Sequence, residues 1–191
     1  MALNGTTLKW FDKAVKVVLR HEDYKYDTNP RIDRDPADSG GTTKFGISQA
    51  HHPGVNVVTL TLGGAIQIYR QEYMQYPYHE AIKRFHIACR LYDLGVLCGY
   101  VTAAKFLQRA CNKLGSKLSV DGKIGPLSIA AINGHDWGKL YDALLVEGES
   151  YFRKVVAVSP KNKKFLQGWL NRLKDRAEFK CWTIRDEELN K

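Results

Sequence analysis

Leu8, Phe11, Val15 and Val18 recur at spacings of three and four, and this constrains the chain more than any other feature. The spacing draws one apolar stripe along an amphipathic helix. Lys9, Lys13, Lys16 and Arg20 form the opposite, solvated stripe. Asn4, Thr6 or Thr7 is suited to cap the start. Extending the apolar stripe by four from Val18 reaches Glu22. A carboxylate is therefore expected at the C-terminal end of the helix, on the face that points into the protein. Partial burial and the negative end of the helix dipole both disfavour its ionised form, so a raised pKa is expected there.

The segment after this helix is of a different kind. Residues 24–48 lack helical periodicity and are rich in Asp, Pro, Gly and Thr. They read as an extended loop or small β-hairpin, closed by Ser39-Gly40-Gly41 and a turn at Gly46. From residue 61 onward the pattern is helical again. Leu62, Ile66, Tyr69 and Tyr73 share a face, and so do Ile82, Phe85 and Cys89. The stretch "LYDLGVLCGYVTAAKFLQRACNKLG" reads as one long helical run ending on Gly115 as a C-cap. Asp121-Gly122 marks a turn. Pro126 opens the next helix and Asn133-Gly134 closes it. Trp137, Tyr141, Leu144, Gly148, Tyr151 and Val155 trace a further face, and Phe165, Leu166, Trp169, Leu170 and Leu173 the last. The expected fold is mainly α, with a small β-hairpin near the N-terminus and a helical C-terminal lobe.

Charge narrows the partners. Lys and Arg number 29 against 20 Asp and Glu, a net charge of +9. This favours a polyanionic partner such as nucleic acid, a membrane surface or the bacterial cell wall. The basic residues form no single block, and no familiar nucleic-acid motif occurs, so nucleic acid is not expected. No stretch approaches the roughly 20 apolar residues that span a bilayer, so stable membrane insertion is not expected. Residues 1–22 do not resemble a signal peptide, because Lys9, Asp12, Lys13 and Lys16 interrupt the apolar run. Synthesis in the cytoplasm is the expectation. Cys89, Cys98, Cys111 and Cys181 form no C-x-x-C pair and read as buried free thiols.

A glutamate fixed by a helix, followed by an aspartate-bearing Gly/Thr loop, suits glycoside hydrolysis. One carboxylic acid protonates the leaving oxygen, and a second, ionised group activates water or stabilises charge on the sugar. Glu22 fits the first role. Asp38 is favoured for the second, because Gly40 and Gly41 beside it let the backbone approach a sugar closely. Asp33 and Asp35 remain alternatives. Thr43 can orient a water through its hydroxyl.

Glu22 followed by Asp35-Pro36-x-Asp38-x-Gly40-Gly41-x-Thr43-x-Phe45-Gly46-Ile47 resembles the active-site segment of the family 108 glycoside hydrolases. These are lysozyme-like N-acetylmuramidases of phage endolysins and of bacterial secretion systems. "LTLGGAIQIYRQEY" is similar to the family's helix carrying Ile-Tyr-Arg-x-x-Tyr. "AAKFLQRACNKLG" and "VDGKIGPLSIAAIN" resemble its peptidoglycan-binding half, and "KKFLQGWLNRL" its closing helix. The resemblance covers roughly residues 8 to 175. Two departures stand out. The family's Glu-Gly-Gly-Tyr is Glu22-Asp23-Tyr24-Lys25-Tyr26 here, and Glu22 and Asp38 are 16 positions apart, a longer gap than the family's.

The resemblance implies a lysozyme-like α+β fold, with a muramidase lobe at 1–90 and a peptidoglycan-binding lobe at 91–191. It implies hydrolysis of the β-1,4 bond between N-acetylmuramic acid and N-acetylglucosamine, for lysis or wall-dependent protein release. Glu22 would be the acid, and Asp38 and Thr43 would position water or stabilise the transition state. No metal or cofactor is implied. The partner is bacterial peptidoglycan, reached from the cytoplasm through a pore such as a holin, and a monomer is expected. Tyr73, Tyr76 and Tyr78 are candidates to stack on sugar rings, with Tyr73 equally suited to the core. His51, His52, His79, His86 and Cys89 invite a zinc reading, but no H-E-x-x-H motif accompanies them. Cysteine–histidine amidase chemistry finds no exposed thiol beside a histidine. The competing class is a non-catalytic wall-binding module with a merely structural acidic loop.

Overall fold

The computed structural model describes residues 5–23, 25, 27–34, 41–73 and 81–175. The chain divides into two compact units, residues 1–75 and 76–191. Among the described residues it is mainly α, with seven α-helices and one small antiparallel sheet.

In the first unit, α1 spans Gly5–Glu22 and α2 spans Leu62–Tyr73. Of the expected stripe of α1, Phe11, Val15 and Val18 are enclosed, joined by Ala14, Val17 and Leu19, and the Leu8 side chain lies outside the described set. Between the helices lies a meander of β1 (Ile32–Asp33), β2 (Thr43–Lys44) and β3 (Ile47–Ser48). The expected hairpin is thus present and carries a third strand. Ile32 pairs with Lys44 and Lys44 with Ile47, while Asp33 pairs with Thr43 and Thr43 with Ser48. Directly opposed residues share a face. Buried Ile47 marks the first row as the side turned to the core, and the second row is its polar reverse. Beyond β3, Gln49 pins the loop by donating to the His52 and Val55 carbonyls and accepting from the Val57 N–H. Lys44 Nζ donates to the Leu60 carbonyl at 2.7 Å, tying the sheet to the start of α2.

The second unit is helical: α3 (Phe85–Cys98), α4 (Tyr100–Lys113), α5 (Pro126–Gly134), α6 (Trp137–Val158) and α7 (Lys163–Lys174). A short 3-10 turn at Pro160–Asn162 separates the last two. The single run expected up to Gly115 is broken at Gly99. Its φ of 82° and ψ of 140° are open to glycine and costly for other residues, so α4 folds back against α3. Gly115, with φ of 103°, does end α4. Phe165 also departs from expectation, since it is 48% exposed while Leu170 and Leu173 carry the buried face of α7.

A charged cluster sits inside this apolar core. Arg90 and Asp93 of α3 are fully enclosed. Arg90 donates to Asp93 at 3.0 Å and to the Tyr141 hydroxyl at 2.7 Å, and its Nη1 and Nη2 reach the Arg172 and Asp175 carbonyls. Arg172 donates to the other Asp93 oxygen at 3.0 Å. One carboxylate thus ties α3 to α7, and the tyrosine adds α6. Cys98 and Cys111 are free thiols that burial pushes up to about 12, and Cys89 is a free, buried thiol. Cys181 lies outside the described residues. No described helix is long and apolar enough to cross a membrane.

Candidate active site

Glu22 is the last residue of α1, as the stripe predicted. Its side chain is exposed, however, and not turned into the protein. The inward position falls one residue later. Asp23, 5% exposed, accepts from the Arg31 N–H at 2.6 Å and the Lys25 N–H at 3.2 Å. The helix ends there and the chain swings away, so the i+4 rule loses its geometric basis one residue beyond Val18's turn. Asp23 organises the loop that leaves α1, a role that sequence reading missed. Its signal was an acid directly after a helix end, ahead of a turn-rich stretch.

The β2–β3 turn fixes Glu22. Phe45 and Gly46 both have positive φ, 56° and 74°, as a two-residue type I′ hairpin requires. A Cβ on Gly46 would lie 2.9 Å from both Cβ and Cγ of Glu22 and 2.8 Å from the Tyr69 hydroxyl. The glutamate stem and the tyrosine tip therefore close on the turn from two helices. The Tyr69 hydroxyl donates to the buried Phe45 carbonyl at 2.9 Å. Left-handed backbone at a non-glycine residue costs about 1–2 kcal/mol. Burial of the Phe45 ring, 2% exposed, offsets that cost here.

Thr43 lies in β2, half-buried, on the polar row with Asp33 and Ser48. Asp33 accepts from Arg31 at 2.8 Å in a largely exposed pair. Of the three aspartates weighed for the second role, only Asp33 is described. Asp35 and Asp38 lie outside the described residues. Gly41 has φ of 64° with open space where a Cβ would stand, so its requirement is conformational. Tyr73 closes α2. Its side chain, like Tyr76 and Tyr78, lies outside the described set.

The histidines singled out for zinc make other contacts. His51 bonds the Ser48 hydroxyl at 2.7 Å, and His52 joins the Ser48 carbonyl to Glu72. His86 stacks on Trp137 with ring centres 4.8 Å apart. His79 is outside the described residues. Among the described residues, no group of three or more His, Cys, Asp or Glu is placed to hold a metal.

In the second unit, Asp121-Gly122 is a turn held from below by Gln108. The Gln108 amide donates to Asp121 at 2.8 Å and accepts from the Gly122 N–H at 2.8 Å. The Gln108 donor and the Lys123 N–H hold the Asp121 carboxyl below the usual carboxylate range.

Glu22 thus stands against a strained hairpin in the first unit, and a separate helical unit follows in the chain. Residues 7–99 match the family described as Glycosyl hydrolase 108, and residues 102–174 the one described as Predicted Peptidoglycan domain. The solved structure of Brucella abortus SagA is similar over 93% of this chain and 97% of that one, at a TM-score of 0.68 and 23% identity. At that identity the likeness is one of fold. No curated protein matches the chain. The pair of domains is that of a peptidoglycan hydrolase. The chain carries a glycosyl hydrolase family 108 domain followed by a peptidoglycan domain.

Proposed function

We propose that the chain is an N-acetylmuramidase that cleaves the β-1,4 bond between N-acetylmuramic acid and N-acetylglucosamine. The carrying observation is Glu22, an exposed residue at the end of α1 with its stem against Gly46. A general acid must be fixed in position yet reachable by the leaving oxygen, and this placement supplies both. Thr43 is the group that orients water, and Asp38 the carboxylate that activates it or stabilises the oxocarbenium-like transition state. Asp33 and Asp35 are the alternative carboxylates, and the place of Asp33 opposite Thr43 on the polar row supports it. Tyr73, Tyr76 and Tyr78 are proposed to line the sugar subsites. The muramidase lobe is assigned to residues 1–90 and the wall-binding lobe to 91–191. The charge of +9 favours encounter with an anionic wall.

The test is fragment analysis of purified peptidoglycan treated with wild type and with Glu22→Gln. Products ending in reducing N-acetylmuramic acid, lost with the variant, are the expected result. Equal release by both proteins would move the acid elsewhere. Peptide-only products would make the protein an amidase or peptidase. Wall binding without fragments from either protein would leave a binding module.

A further inference from the structure

The second unit carries a preformed hollow. A cavity of about 350 Å³ opens between the loop after α4 and the start of α5, within the usual range for small-ligand sites. The loop around it is fixed at several points. Asn112 both donates to the Leu118 carbonyl and accepts its N–H, at 2.9 and 2.7 Å. Gln108 clamps the Asp121-Gly122 turn from the other side. Gly122, with φ of 82°, lies so close to Val101 that a Cβ would come within 2.7 Å of it. None of this geometry has to form on binding.

Two ammonium groups and a hydroxyl stand on the lining. The ammonium groups of Lys117 and Lys123 have no ion-pair partner among the described residues. Ser128 is 5% exposed and lines the cavity. α5 opens beside it with no side-chain cap, leaving first-turn N–H groups for an acceptor. The one acid on the lining, Asp121, is already bonded to Gln108 and the Lys123 N–H. Ile124 and Pro126 make an apolar floor, and Leu127, 80% exposed, forms the lip.

We propose that this hollow holds the acidic stem peptide of peptidoglycan. Two features decide for the peptide over the sugar. The lining contains no aromatic ring, and aromatic faces are the usual platform for a pyranose. Carboxylates, which two lysines and a hydroxyl would bind, occur in peptidoglycan on the stem peptides, because the lactyl carboxyl of the glycan is amidated. The alanine methyls of a stem suit the apolar floor. The proposal rests on the wall-hydrolase reading and deepens it by dividing the labour: the first unit takes the glycan and the second takes the peptide.

The test uses the full chain, labelled with nitrogen-15. It is titrated with the free tripeptide L-Ala–D-Glu–meso-diaminopimelate, and separately with a bare N-acetylglucosamine oligosaccharide, which keeps the glycan's rings and has no carboxylate. Saturable shifts of the Lys117, Ser119, Lys123 and Ser128 N–H signals are expected with the tripeptide alone. A Lys117→Ala, Lys123→Ala double variant changes exposed side chains, so its remaining spectrum should be retained while its Kd rises tenfold or more. No shift with the tripeptide, equal shifts with bare glycan, or an unchanged Kd in the double variant would overturn the site. Reducing-sugar release by wild type separates the two readings. Release without tripeptide binding sinks this site alone, and tripeptide binding without release sinks the hydrolase reading alone.

Discussion

At the scale of single residues, the site depends on Gly46. Its positive φ and the close approach of Glu22 and Tyr69 leave no room for a methyl group. Gly46→Ala should therefore cost roughly 1–3 kcal/mol through backbone strain and displace the glutamate stem. Urea unfolding together with initial rates on purified peptidoglycan would check this, and a variant with wild-type stability and rate would remove Gly46 from the mechanism. The spacing from Val18 made Glu22 legible, because four residues is one helical turn. Its exposure was not legible. Periodicity describes a helix while it lasts and says nothing of where it stops, so the enclosed acid proved to be Asp23. Gly46 was legible as a turn but not as a contact, since closeness to Tyr69 depends on residues more than 20 positions away. Asp38, the favoured second carboxylate, stays an expectation from its glycine neighbours.

At the scale of elements, charge inside the core holds the helices of the second unit in register. Asp93 neutralises two guanidinium groups that are otherwise enclosed. Asp93→Ala should cost about 3–5 kcal/mol, the usual effect of leaving a buried charge without its partner. A loss of less than about 1 kcal/mol in denaturant unfolding would show that water or relaxation replaces it. Glu147 ties α6 to α4, accepting from Arg109 at 2.6 Å and from Lys113 at 2.7 Å. Burial alone pushes its pKa up, but the bonds and charges of Lys113 and Arg109 outweigh this and bring it below the ordinary carboxylate range. A carboxyl lowered on folding stabilises the protein above its unfolded pKa, about 4.3, and loses that contribution as pH falls through its folded pKa. Glu147→Gln should thus narrow the loss of thermal midpoint between about pH 5 and pH 3. Parallel losses in both proteins would disprove the linkage. The stripes of α6 and α7 were readable, but these ionic links were not. Arg172 lies 79 positions from Asp93, and a charged residue within a helix reads as solvated unless its distant partner is known. The break at Gly99 was hidden for a related reason, because a lone glycine in a helical run is tolerated as often as it breaks.

At the scale of the molecule, homology and packing divide the chain at different places. The hydrolase family extends to residue 99, yet the compact units meet between residues 75 and 76. The difference is α3. It lies within the span matched to the hydrolase, but its side chains complete the core of the second unit, where Arg90 meets Tyr141 and Arg172 of α6 and α7. Sequence periodicity shows that a face is buried without showing against which element, so α3 alone cannot declare the unit it serves. Packing makes a definite claim about fragments. A chain starting at residue 102 keeps the whole matched peptidoglycan domain and loses Phe85, Ile87, Leu91 and Leu94, all buried. At about 1.5–3 kcal/mol for each buried side chain, that loss is comparable to the roughly 5–15 kcal/mol margin of an entire domain. It also leaves Arg172 without Asp93. A fragment of residues 76–191 should unfold cooperatively on heating with a defined near-ultraviolet dichroism spectrum, whereas 102–191 should lack both. Cooperative unfolding of the shorter fragment would mean that α3 is an accessory to the second unit, and that the family boundary is the physical one.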